Sequence, residues 1–393
     1  METINKKVYL DYAATTYVNN EVLTEMLPNF SGAYGNASSL HGFGRDANAV
    51  IETARERIAK AINCAPNEIY FTSGGTEANN WAILGLAEAN KFKGNHIITS
   101  EIEHHSVLDA CKELEKRGFR VTYLPVDEYG LIRFDKLLGA IDKETILISI
   151  MAANNEIGTI QHLQAIAQTA KEKGIIFHTD AVQAFGNFAI DVQKLGIDSL
   201  TLSAHKIYGP KGMGCLYVKR SVPIKALING GNQEFGKRAG TVNVPAVAGF
   251  GKAVQIASRD MSVNVQKIRA MREYFIKQLK ENIEDIQING HPNQKLQSIV
   301  SVSFNYIEGE SILLMLDLQG VAVSTGSACT SGSLQPSHVL KAIGLADEVA
   351  QGTIRFSFGK GTSKDDIDYT IEKLKAIVER LRSMSPLTKR RKK

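Results

Sequence analysis

The chain has no CxxC pair: its four cysteines, Cys64, Cys111, Cys215 and Cys329, stand far apart in 393 residues. That spacing excludes the common zinc clusters, and a chain of this length needs no disulfide framework. A reduced, cytoplasmic protein is therefore the expectation. No apolar run approaches the length of a membrane span. The opening Met1-Glu-Thr-Ile-Asn-Lys-Lys has no apolar stretch behind it, so no signal peptide is expected. An excess of one charge is missing too. The formal net charge is only +5, and part of it sits in Lys389-Arg-Arg-Lys-Lys393. Such a tail reads as a solvated end, with contact to RNA or an acidic protein as the lesser reading; direct nucleic-acid binding is not expected. No internal repeat is present. No GxGxxG turn follows the first strand, which removes a nicotinamide-dinucleotide site. What remains is the composition of an ordinary globular enzyme, 44% hydrophobic and 22% charged, long enough for two domains.

The pattern alternates. Short apolar runs at 68–72, 96–100, 120–124, 145–151, 175–180, 198–203 and 214–218 predict strands. Helical periodicity at 46–62, 76–90, 106–117 and 163–173 falls between several of them. This predicts an α/β fold with a mostly parallel seven-stranded sheet covered by helices on both faces. In such sheets ligands sit beyond the carboxyl ends of the strands. Polar motifs collect at those ends: Ser73-Gly-Gly-Thr-Glu77, Glu103-His-His105, Ala153-Asn-Asn-Glu-Ile-Gly158, His178-Thr-Asp-Ala-Val-Gln183 and Ser203-Ala-His-Lys206.

Each motif offers specific chemistry. Ser73 to Thr76 at a helix start supplies backbone N–H groups, hydroxyls and a positive dipole end suited to phosphate, or else a plain helix cap. Asp180 is either a cap or the carboxylate that keeps a pyridine nitrogen protonated. His104 could stack on a flat ring and move protons, or be a bonded structural histidine. Lys206, at the mouth of a strand among Ser, His and Gly, can lose its proton when desolvated and form a Schiff base with an aldehyde. Together a phosphate cradle, a carboxylate, a histidine and a lysine point to pyridoxal 5′-phosphate.

Beyond residue 218 comes Gly230-Gly-Asn-Gln-Glu-Phe-Gly-Lys-Arg-Ala-Gly-Thr-Val-Asn-Val244, read as a polar loop that no core requires. A long helix over 261–282 should lead into a smaller α+β domain, with strands near 298–304 and 353–358 and a closing helix over 364–384. The expected division is a large domain over 16–258, a small one from 1–15 and 259–384, and a basic tail over 385–393. Within the small domain, Cys329 sits in Ser324-Thr-Gly-Ser-Ala-Cys-Thr-Ser-Gly-Ser-Leu334. A free cysteine is normally buried, so one among small flexible residues is either a bystander or a thiol exposed for nucleophilic attack.

The segments LDYAATT, GNASSLHGFG, FTSGGTEANN, NNEIGTIQ, HTDAVQ, SAHKIYGPKG, GSACTSGSLQPSHVL and IRFSFG carry a resemblance that runs from residue 9 to about 379. The chain resembles the cysteine desulfurases of the NifS/IscS type, class V of the fold-type I pyridoxal-phosphate enzymes. Its GSACTSGS run is similar to the long-loop group. The resemblance implies Lys206 as the Schiff-base lysine, Cys329 as the persulfide carrier, and His104 as the ring-stacking, proton-moving histidine. It implies Asp180 at the pyridine nitrogen, Gln183 near the phenolic oxygen, and Gly75, Thr76, Ser203 and His205 at the phosphate. Thr241 would reach the phosphate of a second subunit, which implies a homodimer. Asn155 and Arg355 would hold the substrate carboxylate, with Asn155 also beside the cofactor; no metal is implied. Val242 departs from the Glu of many relatives, and the basic tail departs from the scaffold-binding end of the IscS-like members.

The implied reaction converts L-cysteine to L-alanine and loads sulfur on Cys329. The acceptor would be an iron–sulfur scaffold or a tRNA-thiolation enzyme. A selenocysteine lyase or another class-V aminotransferase would use the same cofactor, though transamination needs no cysteine loop. A sulfur-relay platform without catalysis is the reading from a different class.

Overall fold

The computed structural model describes residues 6–325 and 336–386; Cys329 and the end of the basic tail lie outside the described residues. Seven strands form the large sheet: β1 (Ile69–Thr72), β2 (His96–Ser100), β3 (Arg120–Leu124), β4 (Thr145–Ser149), β5 (Ile176–Asp180), β6 (Ser199–Ser203) and β7 (Gly214–Val218). Their order is β1-β7-β6-β5-β4-β2-β3. All neighbours run parallel except β7, which is antiparallel to both β1 and β6. Strands β2, β4, β6 and β7 are buried along their whole length. Burial on both faces is why they read as continuous apolar runs without alternation. Their polar side chains are paired across the sheet. His178 lies between Ser149 at 2.8 Å and Thr201 at 3.2 Å, and burial pushes it down to about 3, so it is a neutral crosslink.

Helices cover both faces: α1 (Gly42–Ile62), α2 (Gly75–Asn80), α3 (His105–Lys116) and α4 (Leu163–Glu172). Helix α1 buries Ala47, Ile51, Ala54, Ile58 and Ile62, one stripe at helical spacing, and stops at Asn63 with φ 59°. It begins four residues before the expected position. Gly44 looks like loop in sequence, yet a Cβ there would lie 2.2 Å from the Ser39 carbonyl oxygen, so glycine is needed for close approach. The largest departure is α5 (Val244–Asn282), a single helix of 39 residues where 261–282 was expected. Gly249 and Gly251 lower its helical signal, but they let it seat against Met26 and Ala54.

The second sheet holds β8 (Ile286–Asn289), β9 (Ile299–Phe304), β10 (Ser324–Thr325) and β11 (Thr353–Ser357) in the antiparallel order β10-β11-β9-β8. Helices α6 (Gly309–Asp317) and α7 (Lys364–Met384) pack on it. The N-terminal chain joins this unit, with Val8–Tyr9 parallel to Val321–Ala322 and Asp11 bridged to Ser357. Two cores result. Helix α5 serves both, giving Val247, Phe250 and Val254 to the first and Ile268, Phe275 and Leu279 to the second. A boundary at 258/259 therefore falls inside a continuous helix. Val339, Leu340, Ile343 and Ala350 pack on the first core, although they lie within the 259–384 stretch.

The 230–244 loop is also more than polar linker. Glu234, at φ 48°, is buried and takes two hydrogen bonds of 2.9 Å from Arg55 and one of 2.7 Å from the Phe71 amide. The core does require it.

Candidate active site

A cavity of about 350 Å³ opens beyond the carboxyl ends of β1, β2, β4, β5 and β6. It is lined by Gly75, Thr76, His104, Asn155, Asp180, Gln183, Ser203, His205, Lys206 and Arg355. Ten of the expected site residues thus meet in one place, brought together from six separate stretches of chain. A broader depression of about 700 Å³ near Gln161, His162 and Gln294 contains none of them.

One corner is shaped by glycine. Gly74 precedes α2 with φ 157° and ψ −179°, a conformation left essentially to glycine. A Cβ on Gly75 would lie 2.9 Å from Val182 Cγ2, so backbone is all the space admits. No side chain caps the first turn of α2. The Ser203 hydroxyl, buried at the end of β6, has no hydrogen-bond partner among the described residues. Uncapped N–H groups, an orphaned hydroxyl and the positive end of a helix are the donor set that a phosphate takes up. Pyridoxal phosphate therefore fits the residues present.

The opposite wall carries the charges. Asp180 ends β5 and is held at both oxygens: Asn79 Nδ2 donates to Oδ2 at 2.6 Å and the Val182 amide to Oδ1 at 2.9 Å. Asn79 is almost fully buried and also donates to Ser106 Oγ at 2.9 Å. His104 caps α3 through its Nδ1, which faces Ser106 Oγ at 2.8 Å. Burial lowers its pKa first, and Lys206 lowers it further, while Asp180 works the other way. The ring is thus neutral near pH 7 and able to accept a proton. His205 is pushed down to about 4 by burial and by Lys206 and Lys211.

Lys206 Nζ donates to the carbonyls of Ala13 at 2.7 Å and Ala14 at 2.8 Å. The same Ala13 carbonyl accepts from Gln183 Nε2 at 2.9 Å, and Thr15 Oγ1 faces His205 Nδ1 at 3.1 Å. The LDYAATT segment is therefore a strap across the cavity that positions lysine, glutamine and histidine together. Asp11 of this strap also pairs with Arg355 at 2.9 Å, while Arg355 Nη1 donates to the Asn155 carbonyl at 2.9 Å. Arg355 reaches the cavity from β11 of the second sheet, and its buried Nε has no acceptor among the described residues. A guanidinium with spare donors is suited to a carboxylate.

Two buried carboxyls stand behind the site. Glu103 is pushed up to about 8 by burial, and Glu156 up to about 7. Ser337 donates to Glu156, and His338 Nε2 donates to the Glu103 carbonyl at 2.9 Å. The described chain thus resumes after residue 335 against the neighbours of Asn155 and His104. Thr241 is exposed and outside this cavity. Sequence reasoning did not single out Asp11, Asn79, the Ala13 and Ala14 carbonyls or Glu103. Asn79 had a signal, lying one helical turn after Thr76; the carbonyls had none, because any residue carries one.

Comparison with known proteins agrees with this geometry. The model of the family described as Aminotransferase class-V matches residues 8–370. The chain belongs to the class-V aminotransferase family. Within this family it is 52% identical over 383 residues to cysteine desulfurase IscS of Dictyoglomus turgidum, covering 98% of this chain and 97% of that one. It is 51% identical over 388 residues to cysteine desulfurase IscS of Methanosarcina thermophila, covering 99% and 96%. Among solved class-V relatives, a NifS-like protein superposes with a TM-score of 0.90 at 39% identity, covering 96% of this chain and all of that one. A structure titled SspA in complex with cysteine gives 0.81 at 39% identity, covering 90% and 99%.

Proposed function

We propose that this protein is a pyridoxal-phosphate-dependent cysteine desulfurase, which takes sulfur from L-cysteine, releases L-alanine and hands the sulfur to an acceptor protein. The observation that carries the reading is the meeting of Lys206, Asp180, the Ser203 hydroxyl and Arg355 around one cavity. Pyridoxal phosphate held there supplies an aldehyde for the amino group of cysteine and a ring that accepts the electron pair left at Cα.

The chain's own groups do the rest. Gly75, Thr76, Ser203 and His205 hold the phosphate, Gln183 and Asn155 border the ring, and Asp180 keeps the ring nitrogen protonated. Asn79 holds the Asp180 carboxylate in place through its 2.6 Å bond. Arg355 and Asn155 bind the substrate carboxylate and so aim Cα at Lys206. The amine of Lys206 moves the Cα proton, and neutral His104 accepts and returns protons beside it. Cys329, which lies outside the described residues, supplies the thiolate that takes the substrate sulfur: an S–S bond forms and the Cβ–S bond breaks.

The working unit is a homodimer in which the exposed Thr241 completes the partner's phosphate site. Among the described residues no helix is long and apolar enough to cross a membrane; the proposed location is the cytoplasm. The acceptor is an iron–sulfur scaffold or a tRNA-thiolation enzyme. The test is production of alanine and sulfide from L-cysteine by the pure holoenzyme under reductant. Lys206→Ala should abolish both products. A pure protein that forms a keto acid in place of alanine would establish a transaminase.

A further inference from the structure

Strand β1 lies at the edge of the large sheet, hydrogen-bonded on one side to β7. Side chains close its outer side. The Phe71 amide donates to Glu234 Oε2 at 2.7 Å, and the Ile69 carbonyl accepts from Arg55 Nη1 at 2.5 Å. The Ser73-Gly74 turn follows β1 and opens both α2 and the phosphate cradle. Gly74 has no side chain with which to fix this turn. On its inner side β7 presses close: a Cβ on Gly214 would lie 2.6 Å from the Gly74 carbonyl carbon. Its outer side is held by Glu77, whose Oε2 accepts from the Ser73 amide at 2.8 Å. Arg238 grips the same carboxylate in a fork, Nε to Oε1 at 2.7 Å and Nη2 to Oε2 at 3.0 Å.

This pair is mostly buried, with side chains 12% and 19% exposed for Glu77 and Arg238. Burial alone would raise the Glu77 carboxyl, but the bonds from Arg238 and Ser73 outweigh it and hold it below its ordinary range. Glu77 is therefore charged near pH 7, in the first turn of the helix whose start meets the phosphate. Unpaired, it would compete for that helix end and repel a phosphate monoester, which carries nearly two negative charges. Arg238 cancels that charge. It is itself fixed in place, because its loop is tied by the Ala239 amide to the Ile228 carbonyl at 3.3 Å and by the Gly240 amide to Gln233 Oε1 at 3.1 Å. Buried Glu234 of the same loop anchors it to Arg55.

We propose that Glu77 and Arg238 are positioning residues for the cofactor phosphate: they hold the Ser73-Gly74 turn in place and neutralise the carboxylate beside the cradle. The proposal rests on the reading of Gly75, Thr76 and the unpaired Ser203 hydroxyl as that cradle. Neither residue lines the cavity, so each acts through the backbone and the charge next to it.

The experiment titrates the full-length chain, stripped of cofactor, with pyridoxal 5′-phosphate and with pyridoxal, reading the visible absorbance. Arg238→Met should weaken pyridoxal-phosphate binding roughly tenfold, at the low end for a lost bond to a charged group, and leave pyridoxal affinity unchanged. Adding Glu77→Gln to that variant removes the stranded charge while keeping an acceptor for Ser73, and should restore most of the affinity. A purely structural role would lower the affinity for both ligands alike. Should Arg238→Met not fold, Arg238→Gln loses the same charge, keeps a donor and carries the test. Unchanged pyridoxal-phosphate affinity, an equal loss for pyridoxal, or no recovery in the double variant overturns the proposal. Wild-type protein that binds pyridoxal as tightly as pyridoxal phosphate would instead refute the cradle itself, and this proposal with it.

Discussion

Glu103→Gln should make the protein more stable at alkaline pH. The Glu103 carboxyl is wholly buried, and its Oε1 accepts from Ser100 Oγ at 2.6 Å and from the Met151 amide at 2.9 Å. Its Oε2 has no partner among the described residues. Burial, with Asp180 adding to it, raises the pKa from the ordinary 4.5 to about 8. Between those values the native state keeps a proton that the unfolded chain has released. Stability is therefore full below pH 4.5, falls as pH rises, and levels off above pH 8. The total loss is about 5 kcal/mol, from about 1.4 kcal/mol for each factor of ten in proton affinity. Glutamine keeps the acceptor for Ser100 and Met151 and has no charge to bury. Its second amide hydrogen, unpaired, costs about 1 kcal/mol. The expected gain is about 4 kcal/mol at pH 8.5, shrinking to about zero at pH 5. Urea unfolding of both proteins at the two pH values measures it. A variant that is destabilised equally at both would show that native Glu103 is ionised and that the reasoning fails.

Two other outcomes are expected. Glu234→Ala strips Arg55 of its buried bidentate carboxylate, leaving only Glu52 and the Ile69 carbonyl, and leaves the Phe71 amide without its acceptor; it should cost about 3–5 kcal/mol in urea unfolding, with Arg55→Met in the same chain restoring most of it; no recovery in the double variant would mean that the pair is not the source. Asn79→Leu removes the 2.6 Å bond to Asp180 and should weaken cofactor binding about ten- to a hundredfold, read from the visible absorbance on titration with pyridoxal phosphate. Unchanged affinity would show that the Val182 amide alone positions the carboxylate.

The strands of the large sheet were legible because those buried along their whole length, β2, β4, β6 and β7, are written as short runs rich in Ile, Leu and Val, and the others are short apolar or β-branched runs between turn residues. Their polar ends then announced the cavity, since an Asp180 or a Lys206 at a strand end has little packing value. What escaped had physical reasons. Strand β10 has two residues and β8 four, too short for any period to show. The first part of α5 was hidden by Gly249 and Gly251, whose contacts with Met26 and Ala54 outweigh their weak helix propensity. Glu234 looked like loop because its importance lies in Arg55, 179 residues away. The LDYAATT strap was noticed as a motif, but the roles of its Asp11 side chain and Ala13 and Ala14 carbonyls emerge only once Lys206 and Arg355 stand next to it.

One measurement bears on the whole account: a single turnover of holoenzyme with L-cysteine and no reductant, followed by mass mapping of all four cysteines against alanine released. The account predicts one sulfur atom added at Cys329 for each alanine, with Cys64, Cys111 and Cys215 unchanged. Alanine formed while Cys329 stays unmodified would contradict it.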